Sequence, residues 1–82
     1  MSVEKTVRSF ILENYLFTDD ASRLSDQDSL GGRGIVDSTG MLELIAFLEE
    51  KFGLTIEDHE MVPENLDSVD NIAAYVTRKR AA

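Results

Sequence analysis

Apolar residues recur at three- and four-residue intervals in three stretches of the chain, which is typical of amphipathic helices. The first stretch predicts a helix from about Val3 to Phe17, which ends where Thr18-Asp19-Asp20 begins a polar segment. Only Leu24 and Leu30 in that segment can pin it to a core. Residues 18–34 are therefore predicted to form a long loop, and long loops in small domains are often functional.

The second helix is predicted to begin at Asp37 or Ser38, because either side chain can accept a hydrogen bond from the first turn. It should end at Phe52, where Gly53 can adopt positive φ and close the helix. Its predicted core stripe comprises Met41, Leu44, Ile45, Leu48 and Phe52.

The remainder of the chain predicts one short and one long helical segment. Residues 57–61 form an acid-started turn that Pro63 is expected to stop, and the last helix is expected to start at Asp67 or Ser68. Its buried side should contain Val69, Ile72, Ala73 and Val76. No segment alternates as a strand would. We therefore predict an all-α fold, a small four-helix bundle of three long helices and one short helix, with a long loop between the first two.

Composition narrows the class of protein. The chain has 82 residues, 43% of them apolar and none cysteine, so we expect a single domain spanning 1–82 that is held by packing alone. The first residues contain spread charges and no continuous apolar stretch, which predicts neither a signal peptide nor stable membrane insertion. We expect a cytoplasmic monomer.

The net charge of −8 argues against a nucleic-acid partner and favours basic protein partners. Between Lys51 and Arg78 the chain has acidic residues and no Lys or Arg. The alternative is that these acidic residues form a solvated surface with no binding role.

The loop segment from Gly34 to Asp37 delivers Ser38 to the start of the second helix. A serine there is exposed, and the unpaired N–H groups and dipole of the helix tolerate a negative group on its hydroxyl. The alternative is that Ser38 only caps the helix.

Several segments, taken in this order, resemble the acyl carrier proteins and the closely similar peptidyl carrier domains over nearly the whole chain. These are Asp37-Ser38, Glu43-Leu44, Glu49-Glu50-Lys51-Phe52, the Ile56 segment and Ile72-Ala73-Ala74-Tyr75-Val76.

The resemblance implies that Ser38 is esterified to phosphopantetheine, which a separate magnesium-dependent phosphopantetheinyl transferase takes from coenzyme A. Asp37 and Thr39 would flank the attachment site, with Asp37 capping the helix or helping the transferase hold its metal. Acyl or aminoacyl groups would then be held as thioesters for partner enzymes, and the chain would not itself be an enzyme. The partners would be a loading ligase or synthetase and downstream transferases with basic docking patches.

The second helix also supplies the predicted contact residues. The expected partner-binding set is Glu43, Glu49, Glu50, Leu42 and Ala46, and a groove sheltering an acyl chain is predicted at Phe47, Ile56 and Met61.

Two departures from the common family pattern affect the interpretation. Thr39 stands where many members have Leu, and Gly40 weakens the first helical turn. These departures favour a specialised carrier with a dedicated ligase or synthetase over the housekeeping carrier of fatty-acid synthesis, and we expect it to act in lipid or secondary-metabolite biosynthesis.

Two alternative hypotheses from other functional classes are a metal-binding loop and a plain protein-interaction module. Asp26, Asp28, Gly31 and Asp37 match four positions of an EF-hand register, but Leu30 occupies a ligand position. An acidic helical interaction module without a prosthetic group would use the same surface, with Ser38 as a cap. An enzyme is disfavoured because His59 is the single histidine and lies far along the chain from Ser38.

Overall fold

The computed structural model describes residues 2–81, and this part of the chain contains four α-helices and no strand. The helices are α1 (Val3–Ile11), α2 (Ser38–Phe52), α3 (Pro63–Leu66) and α4 (Val69–Ala81). Three long helices and one short helix confirm the predicted all-α bundle. Within the same residues, no helix combines the length and the apolar character needed to cross a membrane.

The first helix begins at a serine cap, where the backbone N–H of Lys5 donates to Ser2 Oγ at 3.1 Å. It continues beyond Ile11 as a π-helical turn over Leu12–Leu16, so helical backbone ends one residue before the predicted limit. Phe17 follows with a left-handed φ of 53°, and its side chain is 82% exposed.

Several hydrogen bonds to Asp67 attach the long loop to the junction between α3 and α4. Asp67 accepts hydrogen bonds from the Ser29 hydroxyl at 2.5 Å and from the Gly31 N–H at 3.0 Å, and its carbonyl accepts from the Leu30 N–H at 2.7 Å. Leu24 and Leu30 are buried, as predicted. The loop therefore reaches α2 as a fixed segment.

The predicted end of the second helix is also confirmed. Gly53 has a φ of 65°, and its N–H donates to the Glu49 carbonyl at 3.0 Å. This left-handed backbone is easily reached by glycine and satisfies one of the free carbonyls at the helix end.

The expected acidic turn is present as a 3₁₀ turn over Asp58–Glu60. The turn ends before Pro63 as expected, but Pro63 is also the first residue of α3, a short helix that was not predicted. Proline is favoured there, since the first N–H groups of a helix have no partner within the helix. Ser68 is placed as predicted, and its Oγ accepts from the Asn71 N–H at 3.1 Å at the start of α4.

The core lies where α1 and α3 pack against α4, with α2 and the long loop closing over it. Met41 and Phe52, predicted for the core stripe of α2, are half-buried. The most completely buried large side chains are Ile11, Leu30, Leu44, Leu48 and Ile72. This packing holds the first turn of α2 at the surface.

Candidate functional site

Ser38 is the first residue of α2 and is exposed. The residue that caps the helix is Asp37, whose Oδ1 accepts from the Gly40 N–H at 2.7 Å. The sequence left the cap open between these two residues, and the structure assigns it to Asp37. Capping therefore does not require the hydroxyl of Ser38.

This position suits a serine that is to bear a negative group. The first N–H groups of an α-helix lack helical acceptors, and the dipole of the 15-residue α2 places partial positive charge at this end. Both effects favour a phosphodiester on the neighbouring hydroxyl. The exposed Ser38 thus fits the prosthetic group that the family resemblance implies.

The end of the first helix contacts the start of the second. The Tyr15 hydroxyl donates to the Gly40 carbonyl at 2.7 Å, two residues after Ser38. Burial, and then the negative charges of Glu43 and Asp37, raise the pKa of Tyr15 above its usual value. Tyr15 therefore stays protonated and able to donate at neutral pH.

Gly40 is buried, and a side chain at this position would crowd the contact with Tyr15. A Cβ at position 40 would lie 3.0 Å from Tyr15 Cε1, 3.2 Å from Asp37 Oδ1 and 3.3 Å from Val36 Cγ1. From the sequence, Gly40 was expected only to weaken the first turn of α2, and no contact with Tyr15 was predicted. A glycine inside a helical pattern could have indicated a close approach of another element.

The predicted partner-binding residues mostly share one face. Leu42, Glu43, Ala46 and Glu50 are exposed, and their spacing places them on the same side of α2 as Thr39. Leu42 is 64% exposed. Glu49 differs, because it is half-buried and its Oε2 accepts from the Ile56 N–H at 2.9 Å. The fold therefore uses Glu49 to hold the segment after α2.

A shallow cavity of about 520 Å³ lies beside Ser38, and a second cavity of about 190 Å³ adjoins it. They share Met41 and Met61, and both are bordered mainly by apolar side chains. The larger is lined by Val36, Asp37, Ser38, Met41, Leu42, Ile45 and Met61, and the smaller by Met41, Met61, Val62, Pro63, Leu66 and Asp67.

The structure does not bring together the three residues of the predicted acyl groove. Met61 lies beside Ser38, whereas Ile56 is buried in the core. Phe47 stacks on Phe10, with ring centroids 3.9 Å apart, in a different cleft of about 460 Å³ between α1 and α2. An apolar surface near Ser38 is present, but besides Met61 it is formed by Val36, Met41, Leu42 and Ile45.

The aspartates of the EF-hand register have separate partners. Asp26 pairs with Arg8, Asp28 accepts from the Ser25 N–H at 2.8 Å and from Arg33 at 2.5 Å, and Asp37 caps α2. The hydrogen bond from the Ser25 N–H lowers the pKa of Asp28. Within residues 2–81, no three His, Cys, Asp or Glu side chains group as a metal site would require.

Comparison with known proteins gives relatives over nearly the full length. The chain is 36% identical over 76 residues to a D-alanyl carrier protein of Streptococcus suis, covering 93% of this chain and 92% of the relative. It is 33% identical over 82 residues to that of Streptococcus mutans, covering all of both chains, and 31% identical over 80 residues to that of Abiotrophia defectiva, covering 98% and 99%. No protein-family model matches the chain.

Proposed function

Because the chain belongs to the family of the D-alanyl carrier proteins, and is thus a non-catalytic carrier on which partner enzymes act, we propose that it carries D-alanine on a phosphopantetheine group attached to Ser38. The observation that carries the attachment site is the exposed Ser38 at the tip of a helix that Asp37 caps. The relatives' names support D-alanine as the cargo.

The attachment reaction requires one nucleophile from this chain. Ser38 Oγ forms a bond to the phosphorus that bears the pantetheine part of coenzyme A, and the bond from that phosphorus to the nucleotide part breaks. The hydroxyl proton passes to a base of the transferase. When bound, the group supplies a flexible arm and a thiol that holds the cargo as a thioester.

The chain's own residues then present the arm and select the enzymes it meets. Asp37 caps the first turn of α2, so the hydroxyl of Ser38 is not needed for capping. The exposed acidic residues Glu43 and Glu50 stand beside the apolar Leu42 and favour docking to enzymes with basic patches around an apolar contact. Met41 and Met61 offer the arm an apolar surface next to its attachment point.

The relatives alter the predicted pathway. The general carrier class inferred from the sequence agrees with them, and an aminoacyl cargo was one of the two cargo classes expected. The expectation of lipid or secondary-metabolite biosynthesis has no support, because these relatives are named for a D-alanyl cargo. We retain the cytoplasmic location as part of the proposal.

The attachment is tested by the intact mass of the purified protein after incubation with coenzyme A, magnesium and a broad-specificity phosphopantetheinyl transferase. We expect a gain of one phosphopantetheine group, mapped to the peptide containing Ser38. Ser38→Ala should abolish the gain, whereas Ser9→Ala, at an exposed serine of α1, should leave it unchanged. No gain in folded wild-type protein would refute the attachment and favour the acidic interaction module.

The cargo is tested separately on the modified protein. Incubation with ATP and a ligase that activates D-alanine should add one alanyl group, which hydroxylamine should remove because a thioester is cleaved readily. L-Alanine and a fatty acid, each supplied with its own activating ligase, serve as competing cargoes. Loading with a fatty acid but not with D-alanine would refute the cargo while leaving the attachment intact.

A further inference from the structure

We propose that Tyr15 is a positioning residue for the modification of Ser38, acting through a hydrogen-bonded contact with Gly40 that orders the first turn of α2. The inference rests on the proposed attachment at Ser38 and concerns how this chain presents that serine. It follows from the placement of Tyr15, which belongs to the end of the first helix, against the start of the second.

Both backbone polar groups of Gly40 are held by side chains. Its N–H donates to Asp37 Oδ1 at 2.7 Å, and its carbonyl accepts from the Tyr15 hydroxyl at 2.7 Å. The first bond comes from the residue before Ser38, and the second comes from a distant part of the chain. Gly40 is thus fixed from both sides, two residues after the attachment site.

The contact also explains why a glycine occupies a helical turn. Alanine would ordinarily be the better helix former. At this position, however, its Cβ would lie 3.0 Å from Tyr15 Cε1, closer than real Cβ contacts normally come. The absence of a side chain allows the ring to approach and the hydroxyl to reach the carbonyl. Tyr15 and Gly40 therefore act as one structural unit.

The unit matters for transfer because Ser38 has few restraints of its own. It is exposed, and it is the first residue of the turn that Gly40 helps to order. A first turn that frays would move Ser38 Oγ relative to the docking face of α2, which begins at Leu42. Attack on phosphorus needs the hydroxyl aligned with the bond that breaks, so small displacements reduce the rate strongly.

The test compares Tyr15→Phe, which removes the hydroxyl and keeps the ring, with Tyr75→Phe. Tyr75 is the other tyrosine of the chain, and it is buried in α4. Two quantities are measured on unmodified protein well below its melting temperature. The first is the steady-state rate of transfer from coenzyme A, and the second is hydrogen exchange at the Gly40 and Met41 amides.

Loss of one hydrogen bond of ordinary net strength corresponds to about a fivefold change in a rate or equilibrium constant. For Tyr15→Phe we expect kcat for transfer to fall about fivefold, with KM within about twofold because the docking face is untouched. Exchange at the two amides should accelerate by about the same factor. Tyr75→Phe should alter neither quantity.

The proposal requires both changes in Tyr15→Phe. Unchanged kcat, unchanged exchange at the two amides, or an equal effect of Tyr75→Phe would overturn it while leaving Ser38 as the attachment site. No transfer to the wild-type protein would overturn the proposed function together with this inference. The two failures are therefore distinguished by the wild-type reaction alone.

Discussion

Replacing Asp37 by alanine should destabilise the protein, whereas replacing its neighbour Ser38 should not. The structure assigns the helix cap to Asp37, whose carboxylate accepts from the Gly40 N–H at 2.7 Å. Ser38 is exposed and stands one residue inside the helix. The two adjacent substitutions thus test which side chain stabilises α2 and which is free for chemistry.

The magnitude follows from two contributions. Loss of a capping side chain costs about 1 kcal/mol, within a range of about 0.5–2 kcal/mol. Removing a negative charge from the start of a helix costs about 0.3–1 kcal/mol more at an exposed position. Asp37→Ala should therefore lower the free energy of unfolding by about 1–2 kcal/mol. Ser38→Ala should change it by less than about 0.5 kcal/mol.

The assay is urea unfolding of the unmodified protein, checked by mass, together with thermal melting. In a domain of this size about 1 kcal/mol corresponds to roughly 4–8 °C in melting temperature. Asp37→Asn is the matched control, because it keeps an oxygen acceptor and loses only the charge, so it should recover most of the lost stability. A loss in Ser38→Ala equal to that in Asp37→Ala would refute the reasoning and identify Ser38 as the cap.

Three further predictions concern other parts of the fold. Phe17→Gly should raise the free energy of unfolding, measured by urea titration, by up to about 1 kcal/mol. Glycine relieves left-handed backbone strain of about 1–2 kcal/mol, which exceeds the entropy that it adds to the unfolded chain. An equal gain in Phe17→Ala, which keeps the strain, would contradict this prediction. Glu60 accepts a hydrogen bond from Lys79 at 2.5 Å and another from the Glu57 N–H, and these bonds, the first more than the second, lower its pKa to about 2. The stability that they contribute is therefore complete above the ordinary pKa of about 4.5 and is lost as the pH falls toward 2. The stability difference between wild type and Glu60→Gln, followed by thermal melting from pH 6 to pH 2, should therefore shrink on acidification, and a constant difference would exclude the ion pair as its source. Leu30→Ala should cost about 2–5 kcal/mol, because it empties a fully buried site, and chemical denaturation showing a cost below about 1 kcal/mol would mean that the loop does not contribute to the core.

The hydrophobic pattern was sufficient to predict the helices and their main boundaries. Residues at helical spacing must bury one common face, so the stripes around Leu44 and Ile72 predicted α2 and α4 without knowledge of the partners. Local chemistry was equally informative at Gly53, where positive φ favours glycine, and at the Asp37-Ser38 pair, where a helix had to begin. Leu24 and Leu30 were identified as buried because they are isolated apolar residues in a polar loop.

Contacts between distant segments could not be derived in this way. Whether Asp37 or Ser38 caps α2 depends on side-chain rotamers, and both residues have suitable oxygens. Pro63 fits the end of one turn and the start of the next equally well in sequence, and the packing of α3 decides between them. The groove residues Phe47, Ile56 and Met61 were grouped by apolar character, yet the bundle places them against three different neighbours.

The contact between Tyr15 and Gly40 shows most clearly which features the sequence determines and which depend on tertiary packing. The amino-acid order determines that Tyr15 lies on the apolar side of the first helix and that Gly40 weakens the second, since both properties depend on residues nearby in the chain. That the Tyr15 ring packs on Gly40 and its hydroxyl donates to the Gly40 carbonyl depends on how the π-helical turn after α1 meets α2 across a long loop. Local energies specify elements, whereas the close approach of residues 25 positions apart is decided when those elements pack.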